Sequence, residues 1–257
     1  MLLKPLAAAV GLLGVLSAPA LPTESEQYRQ RVLADKALKP AELLDQYAAR
    51  SFAPIWLRSE PATVLGFIGP DYQRLRVKLL TVRPVAGQPG HYTVTGKSKV
   101  GATVAPFEGE FTVLHVREKL GPPRTLDNEP TIAVKSGIVL ARYELREPPG
   151  QPRTGVFRGL LHARWYQDRT GKLYYDDLEN FADSYANNQF VGTWQSYRSG
   201  AVKRCNWGNH RIPNSQELDQ GAGEFSPVDK YLANGWLSYR RAWGAGDRAA
   251  QQLEEAP

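Results

Sequence analysis

Cysteine and methionine are almost missing from this chain: Cys205 and Met1 are the only ones among 257 residues. One cysteine cannot form an intrachain disulfide, so packing and hydrogen bonds must hold the fold even in an oxidising compartment. Histidine is also scarce. His91, His115, His162 and His210 are scattered, with no His-x-His or His-x-x-x-His pair, and no Asp-x-Asp-x-Asp-Gly loop occurs. Neither a zinc-type nor a calcium-loop metal site is expected. A nucleophile elbow and a phosphate-cradling glycine loop are absent too, so no cofactor is implied. The 32 Lys and Arg exceed the 26 Asp and Glu, for a net charge of +6, yet they are spread along the chain. No basic block marks a nucleic-acid arm. The spread charge fits ordinary solubility or attraction to anionic envelope glycans or lipids.

Long apolar runs are confined to the start. Lys4 precedes an unbroken small and apolar stretch, Leu6 to Leu16, and Ser17-Ala18-Pro19-Ala20 comes next. The pattern predicts a signal peptide over 1–20, cut after Ala20, because the run is shorter than the roughly 20 residues of a spanning helix. Export to the periplasm or the exterior is expected, with no transmembrane segment afterwards. A lipid anchor is not expected, as no cysteine is near the cut. An outer-membrane barrel is disfavoured because Arg74, Arg76 and Lys78 make one face of an early strand basic, where such barrels need an apolar outer face.

Glycine is placed in a pattern. Four segments put it between apolar or aromatic residues: Val94-Thr95-Gly96-Lys97-Ser98, Phe107-Glu108-Gly109-Glu110-Phe111, Phe157-Arg158-Gly159-Leu160-Leu161 and Phe190-Val191-Gly192-Thr193-Trp194. Glycine weakens a strand interior, and it recurs where a sheet bends sharply or another backbone comes close. Bends repeated in successive strands are what a curled sheet or barrel needs. Period-two alternation starts near residue 62, with Leu75, Val77 and Leu79 against Arg74, Arg76 and Lys78. Strands are expected over 91–100, 106–117, 138–146 and 155–166, and Asp168-Arg169-Thr170-Gly171 is a short hairpin turn. The fold class is therefore mainly β: an antiparallel meander forming a barrel or strongly curled sheet over 61–243, with a sheltered interior.

Residues 21–60 read as a helical segment that packs on the barrel or plugs one mouth. Thr23 and Glu26 have capping-box spacing, and a second helix is expected to start at Pro40. Near the end, a short helix is expected from Ser226 to Asn234-Gly235, then a closing strand over 236–243 and a frayed, disordered tail over 244–257.

Phe190-x-Gly192-x-Trp194 resembles the Gly-x-Trp signature of lipocalin-type barrels. The resemblance implies a tryptophan packed across a barrel end and covered by an arginine, here Arg211 or Arg240. It is local, since the motif lies too late in the chain to leave room for that family's eight strands. A wider block is also similar to a group of exported bacterial proteins of unknown function. It comprises Asn187 to Trp194, Asn206-Trp207-Gly208, Arg211-Ile212-Pro213 and Gly221 to Phe225. That similarity implies no activity.

Polar and aromatic residues are densest over 176–224. The candidate ligand-binding residues there are Asp183, Tyr185, Asn187, Asn188, Trp194, Tyr197, Trp207, His210 and Arg211. Aromatic faces beside Asn, Asp and Arg hold sugars and polar planar ligands through stacking plus a few fixed hydrogen bonds. The same residues equally serve as loop anchors and core packing. Cys205 with His210 is a weak thiol–imidazole candidate, and no catalytic residue is assigned. The leading expectation is an exported, non-catalytic binding protein holding a small molecule or glycan in a barrel mouth. A glycan-acting enzyme using two of Asp176, Asp177, Asp183, Asp219 and Glu224 is the alternative. A structural envelope module is the third reading.

Overall fold

The computed structural model describes residues 20–255 apart from positions 126 and 128, so the expected signal peptide over 1–20 lies almost wholly outside the described residues. Among the described residues there are nine strands: β1 (Val64–Ile68), β2 (Gln73–Pro84), β3 (His91–Val100), β4 (Thr103–Glu118), β5 (Lys135–Arg146), β6 (Gly155–Gln167), β7 (Leu173–Tyr175), β8 (Asn187–Ser196) and β9 (Val202–Asn209). Eight of them close an antiparallel barrel in the order β1-β2-β3-β4-β5-β6-β8-β9, with β9 returning to β1. The short β7 pairs only with the end of β6. Period-two alternation and short turns thus produce a meander, and its two ends meet.

The four repeated glycines all lie inside strands. Gly159 of β6 faces Gly192 of β8 on one side and Tyr143 of β5 on the other. A Cβ on Gly159 would come within 2.6 Å of Tyr143 Oη, and one on Gly192 would overlap the same oxygen. Both glycines also admit a neighbouring strand's carbonyl closer than any side chain permits, as does Gly109 beside Glu144. Glycine here bends the wall and leaves a notch for a ring.

Those rings fill the barrel. Trp207 stacks on Phe190 with centroids 4.5 Å apart, and Tyr143 meets both edge-on at 5.3 and 5.4 Å. Phe107, Phe111, Phe157, Trp165 and Trp194 belong to the same core. The expected sheltered interior is therefore a packed aromatic core, as in small eight-stranded barrels whose side chains occupy the lumen.

One mouth is plugged by helix α3 (Ala53–Leu57), whose Trp56 meets Tyr92 and Phe111 edge-on at 4.8 and 5.3 Å. Helix α1 (Thr23–Leu33) instead lies outside, where Ser25 Oγ donates to the carbonyl of Val191 at 2.7 Å. Two local expectations fail in this segment. Pro22 caps α1, and Thr23 makes no capping bond. The stretch after Pro40 is extended until the short α2 (Leu44–Tyr47), because the end of β4 offers it ladder partners: Lys39 N donates to Glu118 O and Leu43 N to Val116 O.

The C-terminal expectations also change. The 236–243 segment is not a strand but the short helix α4 (Leu237–Tyr239) and then a wide turn, Arg240–Gly244. The expected tail contains helix α5 (Arg248–Glu255). Its Glu254 is fully buried and pairs with Arg74 at 2.5 Å and Arg76 at 2.8 Å. Arg74, expected on a wet face, is only 4% exposed and lies over the rings of Trp236 and Tyr239. Ile212, Leu218, Phe225, Tyr231 and Trp236 build a second small core on the outside of β1 with Leu65, Phe67 and Tyr72. No helix among the described residues is long and apolar enough to cross a membrane.

Two outcomes test this packing. Gly192→Ala should cost roughly 3 kcal/mol in urea denaturation through overpacking, whereas Gly150→Ala, with open space around it, should be near neutral. His162 faces α1, with Nδ1 3.1 Å from Tyr28 Oη, and burial together with the Arg164 charge pushes its pKa down to about 3. The unfolded chain then takes up this proton near pH 6.5 while the folded chain refuses it, so stability should fall as pH drops from about 6.5 towards 3. His162→Gln should flatten that slope in pH-dependent denaturation.

Candidate functional site

The nine sequence-selected residues divide into four groups. Trp207 and Trp194 are core, 2% and 8% exposed. The Trp194 indole donates to Glu147 Oε2 at 2.9 Å, and Lys203 lies over its ring, so neither Arg211 nor Arg240 covers it. Tyr197 is exposed on the β8–β9 hairpin at the opposite mouth, where its N–H donates to Thr154 O.

Asn187 and Asn188 are structural. Asn187 Oδ1 accepts from Arg164 N at 2.7 Å, and its Nδ2 donates to Arg164 O at 3.0 Å. This side-chain amide imitates a strand partner at the point where β6 leaves β8 and turns to β7. Asn188 Nδ2 donates to Ile55 O at 3.0 Å and so ties the end of α3 to the barrel.

Asp183, Tyr185, His210 and Arg211 do come together. They line one cleft of about 650 Å³ outside the barrel rim, between the β7–β8 connection, the end of β9 and the C-terminal segment. Tyr185 donates to Asp176 O at 2.5 Å and presents its ring edge-on to His210, with centroids 5.0 Å apart. Burial raises the Tyr185 pKa, so the phenol stays protonated. His210 comes directly after β9 with a left-handed backbone, φ 66°, held by its N–H donating to Thr63 O at 2.8 Å. Burial lowers the His210 pKa against the opposing pull of Glu60 and Glu224, which favours the neutral ring.

Arg211 shapes the far wall. Its guanidinium donates to Gly223 O at 2.8 Å and Gly221 O at 3.0 Å, and lies 2.8 Å from Asp219 Oδ2. Asp219 Oδ1 accepts from the N–H groups of Gly221 and Ser226 at 3.0 Å. The loop 219–226 is thus held from within. Gly223 leaves room for the Asp183 carboxylate, because a Cβ there would come within 2.6 Å of it.

Glu224, a carboxylate candidate of the glycan-acting alternative, also lines the cleft, and other lining residues escaped the sequence-based selection, among them Glu60, Phe181, Tyr239, Trp243 and Glu255. Phe181 is 92% exposed and Trp243 46%, so both aromatic faces are open to solvent. Phe181 and Glu224 at least fell within the polar-aromatic stretch. Glu60, just ahead of β1, carried no local signal, nor did Tyr239, Trp243 and Glu255, which only the fold of 236–255 brings here.

Chemically, the cleft offers stacking faces and unspent hydrogen-bonding groups. Among the described residues, Glu60, Asp183, Glu224 and Glu255 form no ion pair. Cys205 is remote from this chemistry: it points into the core, fully buried, and burial pushes its thiol well up, so it makes no pair with His210. Of the other carboxylates, Asp176 lies 3.7 Å from both Lys119 and Arg164, and Asp177 lies 3.7 Å from Arg58. Asp219→Ala, which leaves Arg211 without its carboxylate and two backbone donors unpaired, should cost roughly 3 kcal/mol in urea denaturation. No protein-family model, curated protein or solved structure matches this chain, so its cleft is read from its own chemistry.

Proposed function

We propose that this is an exported binding protein that holds a small molecule or glycan, without catalysis, in the rim cleft between His210 and Trp243. One observation carries the reading. The cleft gathers four residues selected for ligand chemistry around two open aromatic faces, Phe181 and Trp243. Sugars bind such surfaces by stacking C–H faces on rings while hydroxyls donate to carboxylates and exchange bonds with neutral imidazole. The packed barrel moves the ligand from the lumen to the outside of the rim. Export rests on the Lys4, Leu6–Leu16 and Ala18-Pro19-Ala20 pattern.

One feature favours the glycan-acting alternative: Asp183 and Glu224 line the same cleft as His210. A single panel separates the two. The protein is incubated with soluble oligosaccharides, thermal midpoints are recorded, and the sugars are then analysed for cleavage. A bound sugar at a hundred times its Kd should add about 2.7 kcal/mol of stability. Trp243→Ala and Phe181→Ala should remove the shift while leaving the ligand-free midpoint nearly unchanged. Cleaved sugar, abolished by Glu224→Gln, would establish the enzyme instead. A folded protein that shifts with no member of the panel rejects glycan binding in the cleft.

A further inference from the structure

The outer face of β2 and β3 breaks a rule of sheet construction. Lys78 lies directly across from Lys97, and Arg76 directly across from Lys99. Like charges facing each other across a ladder destabilise it. Arg76 is compensated by Glu254 at 2.8 Å. Lys78, Lys97 and Lys99 are exposed and make no ion pair or side-chain hydrogen bond among the described residues. Glu108, the acidic side chain one row away, faces Arg146 on its other flank. Lysines often guard strand edges against unwanted pairing, and β2 pairs with β1 only at Gln73 and Arg74, but Lys97 and Lys99 lie on β3, which is paired along both sides, so edge guarding does not account for them.

Apolar side chains border these lysines. The β-bulge between Leu79 and Thr81 takes Leu80 out of the ladder and leaves it 46% exposed. Val104, directly across from Lys99, is 54% exposed. Leu253, whose carbonyl accepts from Arg76, is 61% exposed. Uncompensated lysines among protruding aliphatic residues match an anionic bilayer surface: ammonium groups reach phosphates while the aliphatic tips enter the interface. Nucleic acid would favour aromatic and arginine contacts, and no aromatic side chain stands among these positions.

We propose that the β2–β3 face, centred on Lys78, Lys97 and Lys99, docks the protein onto an anionic phospholipid surface. This face lies on strands that do not line the cleft, so its docking is independent of what the cleft holds. The test is co-sedimentation of the protein, lacking residues 1–20, with vesicles of phosphatidylglycerol and phosphatidylcholine against phosphatidylcholine alone. Binding should require the anionic lipid and fall steeply between roughly 50 and roughly 500 mM salt, as surface electrostatics demand. Replacing the three lysines together, Lys78→Gln, Lys97→Gln and Lys99→Gln, should weaken binding on the order of a hundredfold. The variant should keep or gain thermal stability, since the opposed charges are gone. A control with the same charge loss elsewhere, Lys36→Gln, Arg169→Gln and Arg198→Gln, should bind like the parent protein. Equal binding to neutral vesicles, equal loss in the control, or binding to a soluble polyanion such as heparin with none to vesicles would each overturn the assignment.

Discussion

The close approach of Tyr143 to Gly159 and Gly192 constrains the rest of the architecture. The ring of Tyr143 can lie along the inner wall at that height only if the two neighbouring strands both present glycine, and the register pairs Gly159 with Gly192 and with the tyrosine. The same absence of Cβ lets neighbouring carbonyls press in, so the wall turns where the ring enters. Closure and filling are thus one event. Once Phe190, Trp207 and Tyr143 interlock, aromatic rings fill this level of the lumen, and the 650 Å³ cleft lies outside the rim.

The segment beyond β9 builds that outside. Glu254 reaches back from the last helix to Arg74 and Arg76, and Arg74 in turn lies over Trp236 and Tyr239. A buried carboxylate needs such partners, because an isolated charge in that position would be strongly unfavourable. The pairing lays α4 and α5 against the barrel and brings Tyr239, Trp243 and Glu255 to the rim. Arg211 and Asp219 shape the opposite wall by the same means, with an ion pair embedded in backbone carbonyls and N–H groups. The cleft therefore stands between two segments that are each held by a charge pair, and among the described residues four carboxylates of its lining, Glu60, Asp183, Glu224 and Glu255, stay outside any ion pair.

Charge is divided between two parts of the surface. Among the described residues the cleft carries four carboxylates outside any ion pair, whereas the β2–β3 face carries three such lysines. A net charge of +6 read as a single number conceals this division. Each surface has charged groups that the fold leaves without an ion-pair partner among the described residues.

Local chemistry determined the strands and their bends. Alternation at Leu75 to Lys78 and the glycines at 96, 109, 159 and 192 were legible because a side chain's face and a missing Cβ depend on nearest neighbours alone. Part of the candidate site was legible as well: Asp183, Tyr185, His210 and Arg211 fall within one polar-aromatic stretch, as two close pairs that the β8–β9 hairpin brings together. Trp194 and Trp207 looked like ligand platforms because nothing local separates a buried indole from an open one. Pro40 looked like a helix start until β4 supplied ladder partners, and residues 244–255 looked like a tail until Arg74 supplied a partner for Glu254. Those outcomes, together with the meeting of β1 and β9, belonged to the tertiary structure. Burial, pairing and closure are set by groups tens to hundreds of residues apart, which a periodic pattern cannot carry.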